Sequence, residues 1–368
     1  MTQRINFHGR LVDEPEIRAG FIGCGSHSFR NIYPTFQFAP VNLVATCDLE
    51  IEKAKAFAKK FGATSTYTDY KEMLRKEKLD AVFIVTGWDN KTGRPLYPPI
   101  VRDCLEAGVH VWFEKPPAFA CDEIDMLREA AKKANRNVLV GLKKMFFPAN
   151  EKAKELTTAE SFGSIELVLL QYPQHVPTVE EFTTYTTKHN WAVASFLDHL
   201  CHPAALLVFL LGMPKTLYYE RSPSGAGNAT FGYGAGGPVA SFAMTAGSSN
   251  NGGMERTTIV SNTRQHIVVE NNHRVSLHRN PPGVGYGDAP NYFLGNANET
   301  TATWDPEFSL GQLYNKGIFL LGYYNEVNEF ARSILEKRPV AKGTLDHAWQ
   351  VTRLFEAFAE GPNKVITL

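Results

Sequence analysis

The chain has 368 residues, 43% of them hydrophobic, and this length suits two domains that each bury a core. Its 38 Lys and Arg residues balance its 38 Asp and Glu residues, so the composition excludes a strongly basic protein that binds nucleic acid or an anionic membrane. The five cysteines are scattered without Cys-x-x-Cys spacing, and the amino-terminal segment is polar, so we expect reduced thiols, no membrane span and a cytoplasmic protein.

The first 145 residues are predicted to form a dinucleotide-binding domain, preceded by a polar arm over residues 1–16. Short apolar segments, typical of strands, alternate here with amphipathic, helical ones. The predicted strands cover residues 17–22, 42–47, 65–67, 79–85, 110–113 and 138–141, and the helices residues 51–61, 70–76, 98–107 and 121–134. This alternation predicts a Rossmann-type, doubly wound parallel sheet.

A glycine-rich loop follows the first predicted strand. Gly23 permits a tight turn there, and Gly25 lets the backbone approach a pyrophosphate at the start of a helix. Ser28 stands where the fingerprint has a third glycine. The predicted cofactor-binding loop consists of Gly23, Gly25, Ser26, His27 and Ser28.

Asp48 ends the second predicted strand, 23 residues after Gly25, where a carboxylate can hold a ribose 2′-hydroxyl. Glu50 adds a second negative charge, and no Arg or Lys directly follows Asp48 to bind a 2′-phosphate. The sequence therefore favours NAD over NADP as the cofactor.

Two later strand ends are predicted to complete the site. The strand over residues 79–85 leads into a loop in which Thr86 and Trp88 are candidate cofactor contacts, with a plain turn as the alternative. The strand over residues 110–113 leads into Glu114 and Lys115, and ligands of α/β sheets lie beyond the carboxyl ends of strands. Glu114 and Lys115 are therefore candidate cofactor contacts, and Lys115 is also a candidate catalytic residue, the alternative being a surface lysine in a turn. Because Pro116 follows, a cis Lys115–Pro116 bond is expected.

Residues 146–368 are predicted to form a second, α+β domain for substrate binding and oligomerisation. An irregular segment runs to residue 191, and a helix over residues 196–211 follows it. The other predicted elements are strands over residues 165–171, 216–220, 239–245, 257–260, 266–269 and 275–278, and helices over residues 318–335 and 345–359. We expect an open, largely antiparallel sheet with helices on one face, whose other face pairs with a second copy to give a dimer or a multiple of dimers.

The predicted helix over residues 196–211 carries a carboxylate and an imidazole one turn apart. Asp198 and His202 share a helical face, so Asp198 could orient His202 and raise its pKa, as a general base needs. The alternative is an aspartate stabilised by the helix dipole and a histidine satisfied in the core. His199 and Cys201 lie alongside, but neighbouring side chains of a helix point different ways and no zinc motif is present, so we expect no metal.

Three motifs together resemble the Gfo/Idh/MocA oxidoreductases, the family of glucose-fructose oxidoreductase and myo-inositol dehydrogenase: the glycine loop, the run Glu114-Lys115-Pro116, and Asp198 with His202. The resemblance extends from Ile17 to the last predicted helix. It implies a Rossmann domain followed by an open-sheet domain, bound NAD(P), and interconversion of a secondary hydroxyl and a ketone on sugars or cyclitols. It also implies that Lys115 is the catalytic-site lysine, Asp198 a carboxylate that holds substrate and His202 the acid/base.

The sequence departs from this family pattern on the substrate side. Tyr97 stands where many relatives have a histidine, the loop over residues 89–95 is longer than usual, and residues 192–195 replace a glycine-rich run. Trp191 lies in the irregular segment and is a candidate sugar-stacking residue, with ordinary packing as the alternative. The predicted substrate contacts are thus Lys115, Tyr97, Trp191, Asp198 and His202.

These features predict an NAD-dependent dehydrogenase that oxidises a secondary hydroxyl of a pyranose sugar or glycoside to a ketone, with C3 as the candidate position. Its partner is then a small carbohydrate rather than a nucleic acid or a membrane. The alternatives are a myo-inositol or polyol dehydrogenase, a keto-sugar reductase or, in another class, a non-catalytic dinucleotide-binding regulator. The presence of both Lys115 and His202 argues against the regulator.

Overall fold

The computed structural model describes residues 14–185, 188–246, 254–280, 301–306 and 316–368, which form two β-sheets with helices packed against them. Most of the predicted amino-terminal arm, residues 1–13, lies outside this range.

The first sheet has six parallel strands in the order β3-β2-β1-β4-β5-β6. Its strands are β1 (Ile17–Ile22), β2 (Val41–Cys47), β3 (Ser65–Tyr67), β4 (Ala81–Ile84), β5 (His110–Glu114) and β6 (Val138–Gly141). Its helices are α1 (Ile51–Phe61), α2 (Tyr70–Lys76), α3 (Tyr97–Glu106) and α4 (Cys121–Ala134). The strand order reverses between β1 and β4, which opens a crevice for a ligand at the carboxyl ends of these strands. The predicted doubly wound sheet is confirmed.

The segment after β1 differs from the predicted α-helix. A single π-helical turn, Ser28–Ile32, leads directly into a 3₁₀ helix, Tyr33–Gln37, which has a proline in its first turn. The Tyr33 ring stacks on Phe21 of β1 at 4.0 Å and on Phe61 of α1 at 4.7 Å between centroids. This packing holds the short helices against the sheet without a regular α-helix.

The second sheet has nine strands in the order β14-β13-β12-β11-β7-β10-β9-β8-β15, with β7 and β10 as its one parallel pair among the described residues. Its strands are β7 (Ile165–Tyr172), β8 (Thr216–Arg221), β9 (Gly227–Gly232), β10 (Val239–Met244), β11 (Arg256–Ser261), β12 (His266–Glu270), β13 (Arg274–His278), β14 (Thr301–Trp304) and β15 (Ile366–Thr367). Three strands, β9, β14 and β15, were not predicted. Side chains alternate between a buried face and an exposed face, so the predicted open, mostly antiparallel sheet is confirmed.

The helices of the second half are α5 (Pro148–Thr157), α6 (Val179–Tyr185), α7 (Trp191–Leu211), α8 (Lys316–Leu320), α9 (Tyr323–Leu335) and α10 (Leu345–Ala359). The segment predicted to be irregular contains α6. Helix α7 begins five residues earlier than predicted because the Asn190 side chain accepts a hydrogen bond from the Ala192 amide at 2.9 Å. The helix predicted over residues 318–335 is broken at Gly322, which has φ 72°.

Helix α7 corrects the expectation that no segment is long enough to span a membrane. Its 21 residues have the length and mean hydropathy of a membrane span, and 72% of the most apolar stretch is buried inside the protein. A helix in the core of a protein is buried to a similar extent and has a similar composition.

The carboxyl-terminal helices join the two sheets. Phe330 of α9 packs edge-to-face on Phe83 of β4, with the ring centroids 5.4 Å apart. Helix α10 packs against both α4 and α7, and its Phe358 contacts Phe196 of α7 at 5.3 Å. A continuous apolar core therefore holds α7 across the carboxyl ends of the first sheet.

Candidate active site

The glycine loop after β1 is fixed by its own hydrogen bonds and by the end of β2. Gly23 has φ 103°, and a Cβ there would lie 1.9 Å from the Val85 carbonyl oxygen, so only glycine fits. The Cys24 amide donates to Asp48 Oδ2 at 2.7 Å, and the Glu50 amide donates to Asp48 Oδ1 at 3.0 Å. The loop and the end of β2 are thereby locked together before any ligand binds.

The part of the loop that is open to solvent, at Gly25 and Ser26, suits the binding of a dinucleotide. A Cβ on Gly25 would meet no atom within 4 Å, and Ser26 is exposed beside it. In the next loop, Thr86 Oγ1 is buried and has no hydrogen-bond partner among the described residues. Ser28 differs from its predicted ligand contact: it is fully buried, and its hydroxyl donates to the Gly23 carbonyl at 2.9 Å.

Glu114 is a buried link between the loop and β5. It is 3% exposed, and its Oε1 lies 2.8 Å from His27 Nε2. Its Oε2 accepts a hydrogen bond from the Lys115 amide at 3.0 Å. Burial by itself would raise the pKa of Glu114, but His27, Lys115 and Lys143 outweigh it and hold the pKa below its usual value. Glu114 is therefore an anion that positions His27 and the Lys115 backbone.

The structure brings Lys115 of the first sheet and Asp198 of α7 into an ion pair, with Nζ and Oδ1 2.7 Å apart. The Lys115 side chain is 13% exposed, and the predicted cis Lys115–Pro116 bond is confirmed. Burial would lower the pKa of Lys115, but Asp198 and Glu114 reverse that effect and hold it above its usual value. Lys115 is thus a buried ammonium group rather than a surface lysine.

His202 lines the same space, but its environment is the opposite of the predicted one. Its pKa lies well below 6.5 because of desolvation first, and then because of the positive charges of Lys115, Lys143 and Lys144. The expectation that Asp198 raises this pKa is wrong, since Asp198 is turned toward Lys115. No hydrogen bond joins the His202 ring to another described residue, and its ring centroid lies 6.2 Å from that of Tyr172. His202 is therefore held in its neutral form, and no hydrogen bond to another described residue occupies its ring nitrogens.

Two cavities meet at the Lys115–Asp198 pair. The nucleotide-side cavity, of about 240 Å³, is bounded by the loops after β1 and β4 and by the end of β5; its lining includes Thr86, Trp88, Tyr97 and Glu114. The substrate-side cavity, of about 450 Å³, lies toward the second sheet; its lining includes Lys143, Lys144, Tyr172, His202, Glu255 and Tyr323. His27, Lys115 and Asp198 line both. A ligand on either side therefore reaches the ion pair.

The two other predicted substrate contacts lie in different places. Tyr97 lines the nucleotide-side cavity, but it is 3% exposed and its hydroxyl donates to the Thr86 carbonyl at 3.0 Å, so it presents ring atoms. Trp191 is 68% exposed at the start of α7, where its ring lies 4.2 Å from that of His189. It is not among the described residues that line either cavity.

Sequence reasoning missed a group of polar residues on the substrate side. Lys144 is 3% exposed and donates to Glu255 and, at 2.8 Å, to Asn272 Oδ1. Burial lowers the pKa of Lys144 to about 8 against the opposing effect of Glu255. The preceding residue, Lys143, donates to the Tyr323 hydroxyl at 2.9 Å. Both lysines follow the carboxyl end of β6, so the strand-end rule that singled out Lys115 would have found them.

Residues 17–142 match the family model GFO_IDH_MocA, described as an oxidoreductase family with an NAD-binding Rossmann fold. The amino-terminal domain belongs to the Gfo/Idh/MocA oxidoreductases. The resemblance predicted from the motifs is therefore confirmed for this domain, and so is its NAD-binding Rossmann fold.

Individual relatives are more distant. The protein is 24% identical over 199 residues to the D-xylose 1-dehydrogenase (NADP(+)) 2 of Haloferax volcanii. The match covers 54% of this chain and 58% of that one. It is 26% identical over 174 residues to the D-glucoside 3-dehydrogenase of Escherichia coli, 47% of this chain and 48% of that one. The chain thus spans about half the length of these relatives.

The fold extends over the whole chain. The crystal structure of a dehydrogenase from Chromobacterium violaceum is similar with a TM-score of 0.77 at 20% identity, covering 95% of this chain and 96% of that one. A likeness at this identity establishes the two-sheet fold.

Proposed function

We propose that the protein is an NAD-dependent dehydrogenase that oxidises a secondary hydroxyl of a pyranose sugar or glycoside to a ketone. The observation that carries this proposal is the Lys115–Asp198 pair at the junction of the two cavities, with His202 on the substrate side. Hydride transfer requires a nicotinamide and a substrate carbon to meet at one point, and these cavities meet at a single ion pair.

The residues on the nucleotide side fit a dinucleotide. The backbone at Gly25 and Ser26 would hold the pyrophosphate, and Asp48 would accept a hydrogen bond from the ribose. Thr86 and Trp88 would lie beside the nicotinamide half, where Thr86 Oγ1 has an unused hydrogen bond. When bound, NAD⁺ supplies the hydride acceptor.

Three residues on the substrate side would remove the proton, stabilise the developing charge and hold the substrate. His202, a neutral imidazole, takes the proton of the reacting hydroxyl. Lys115 donates a hydrogen bond to the same oxygen and stabilises the negative charge that develops on it. Asp198 holds Lys115 with Oδ1, and its Oδ2, which lies 4.0 Å from His199 Nδ1, would accept a hydrogen bond from a neighbouring hydroxyl.

The substrate class follows from the cavity and from the relatives. A polar cavity of about 450 Å³ has the size of a small-molecule site and accommodates a ring with a substituent. The name of the Escherichia coli relative, D-glucoside 3-dehydrogenase, favours a glycoside and oxidation at C3.

The test is to follow NAD⁺ reduction with a panel of sugars, methyl glycosides and inositols, using wild type and His202→Asn. We expect turnover of a pyranoside and a loss of about a hundredfold to ten-thousandfold in His202→Asn, with NAD binding unchanged, because the base acts on the substrate. Lys115→Met should be similarly impaired.

His347→Gln is the matched control, because His347 is also partly buried but lies outside both cavities. Full turnover by a folded His202→Asn protein would contradict the assigned base. Absence of NAD⁺ reduction with the whole panel would contradict the proposed activity.

A further inference from the structure

The charges around the substrate-side cavity do not balance among the described residues. Three lysines, Lys115, Lys143 and Lys144, line it against two carboxylates. Asp198 pairs with Lys115, and Glu255 pairs with Lys144. Lys143 donates to the neutral Tyr323 hydroxyl at 2.9 Å, and none of the described carboxylates forms an ion pair with it. Among the described residues, Lys143 is therefore the lysine of this cavity that has no directly paired carboxylate.

Two buried carboxyl groups nearby do not form a direct ion pair with Lys143. Glu114 is not among the residues that line this cavity, and its oxygens are engaged by His27 and by the Lys115 amide, while Lys143 contributes to its lowered pKa. Glu326 is fully buried, and neither of its oxygens has a hydrogen-bond partner among the described residues. Burial and the neighbouring Glu114 raise the pKa of Glu326 well above its ordinary value against the opposing effect of Lys143, which disfavours a charged partner for that lysine. The positive field of Lys143 thus extends into the cavity, where it contributes to the low pKa of His202.

We propose that the substrate carries one carboxylate and that Lys143 binds it, which makes the substrate class a sugar acid such as a uronide. This inference rests on the proposed function and narrows it. A lysine ammonium has three donors, and Lys143 gives one to Tyr323, so two remain for a carboxylate in charge-assisted hydrogen bonds. Lys143 and the Lys115–Asp198 pair line the same cavity, so one sugar ring would present its hydroxyl to the pair and its carboxylate to Lys143.

A carboxylate fits better than a phosphate. A phosphate monoester carries a charge of about −1.5 to −2 at neutral pH and would require a second free cation. Among the residues that the structure describes around this cavity, the other two lysines are each paired with a carboxylate. A single negative charge matches the one lysine that, among the described residues lining the cavity, lacks a directly paired carboxylate.

The test compares methyl β-D-glucuronide with methyl β-D-glucoside, a pair of pyranosides that differ by one carboxylate. With the full-length protein and NAD⁺, we expect kcat/KM to favour the glucuronide by about tenfold or more, which corresponds to about 1.4 kcal/mol. Lys143→Gln should collapse this ratio, and Lys143→Arg, which keeps the charge, should retain most of it. Lys154→Gln should leave the ratio unchanged, because Lys154 is another partly buried lysine that pairs with none of the described carboxylates but lies outside the cavity.

Calorimetric binding of both glycosides to the NAD-loaded protein separates this inference from the proposed activity. Equal kcat/KM values for the two glycosides would overturn the carboxylate site while leaving the dehydrogenase intact. If neither glycoside is oxidised, preferential binding of the glucuronide that Lys143→Gln abolishes still supports the site, and equal binding or none overturns it. If Lys143→Gln does not fold, the wild-type preference must weaken with added salt, and a salt-independent preference would count against the ion pair.

Discussion

At the scale of single residues, Asp48 performs two tasks. Each of its oxygens accepts one backbone amide, yet a carboxylate oxygen can accept more than one hydrogen bond, so Asp48 remains able to bind a ribose hydroxyl. Its charge, with that of Glu50, opposes a 2′-phosphate. We therefore expect wild type to bind NAD more tightly than NADP, and Asp48→Ala to narrow the difference by about tenfold, or about 1.4 kcal/mol.

Fluorescence titration with each reduced cofactor measures this preference. Asp48→Asn serves as the matched variant, because it keeps an acceptor for the Cys24 amide and removes the charge together with the acceptor of the Glu50 amide. If wild type binds both cofactors equally, the role of Asp48 is wrong. The comparison is informative because the Haloferax volcanii relative is named for NADP(+).

His202 gives a prediction on pH. Its pKa in the folded protein lies well below 6.5, since desolvation and three lysines disfavour the imidazolium. The acidic limb of kcat/KM should therefore lie below pH 6.5, with the imidazole still neutral at pH 6.5. A limb above pH 6.5 that disappears in His202→Asn would contradict the structure.

The same shift affects stability. Unfolded His202 has the ordinary pKa of 6.5, so below that pH the unfolded chain binds more protons and the folded state loses stability as pH falls. His202→Asn should lessen this loss, measured as the dependence of Tm on pH below 6.5. The loss should not vanish, because burial also lowers the pKa of His110, to about 4, and that of His347.

At the scale of elements, the two glycines of the loop after β1 are expected to affect different properties, Gly23 the stability of the fold and Gly25 the affinity for the cofactor. Gly23→Ala places a Cβ against the Val85 carbonyl and forces φ 103° on an alanine. The backbone strain should cost about 1–3 kcal/mol of folding free energy. We therefore expect a lower Tm. Gly25→Ala adds a Cβ in open space, so its apo Tm should match wild type. If the pyrophosphate lies over Gly25, NAD affinity should still fall by about tenfold or more, or about 1.4 kcal/mol.

Thermal melting with and without NAD tests both variants together. A Gly25→Ala protein with unchanged NAD affinity would show that the pyrophosphate lies elsewhere. A Gly23→Ala protein as stable as wild type would contradict the close approach of β1 and β4.

At the scale of the whole molecule, the outer face of the nine-stranded sheet carries exposed apolar side chains. Leu169, on β7 in the middle of this sheet, is 43% exposed, as is Val239 on the adjacent β10. We expect this face to pair with a second copy of the chain. A stable interface of this kind buries about 1,200–2,000 Å² of surface.

Light scattering at micromolar concentration should give the mass of a dimer or a multiple of it. Leu169→Asp should reduce that mass, whereas Met126→Asp, at a similarly exposed apolar position on α4, should not. A monomeric wild type would contradict the prediction.

The sequence by itself determined those features that depend on neighbouring residues. Short apolar segments between amphipathic ones located the six strands of the first sheet, and the strand-end rule singled out Lys115. The signals that were missed are also local: Asn190 caps α7, and Gly322 ends α8. Such features were predictable because backbone hydrogen bonding and side-chain periodicity are set within a few residues of the chain.

Only the tertiary structure determined which charged side chains pair with each other and in which direction their pKa values shift. Asp198 lies 83 residues from Lys115, and Glu255 lies 111 residues from Lys144, so neither pair has a spacing that a sequence pattern could reveal. The carboxylate one turn from His202 suggested a raised pKa, whereas the folded protein lowers it. The reason is physical: a pKa depends on desolvation and on every charge nearby in space, and folding places three lysines around that ring.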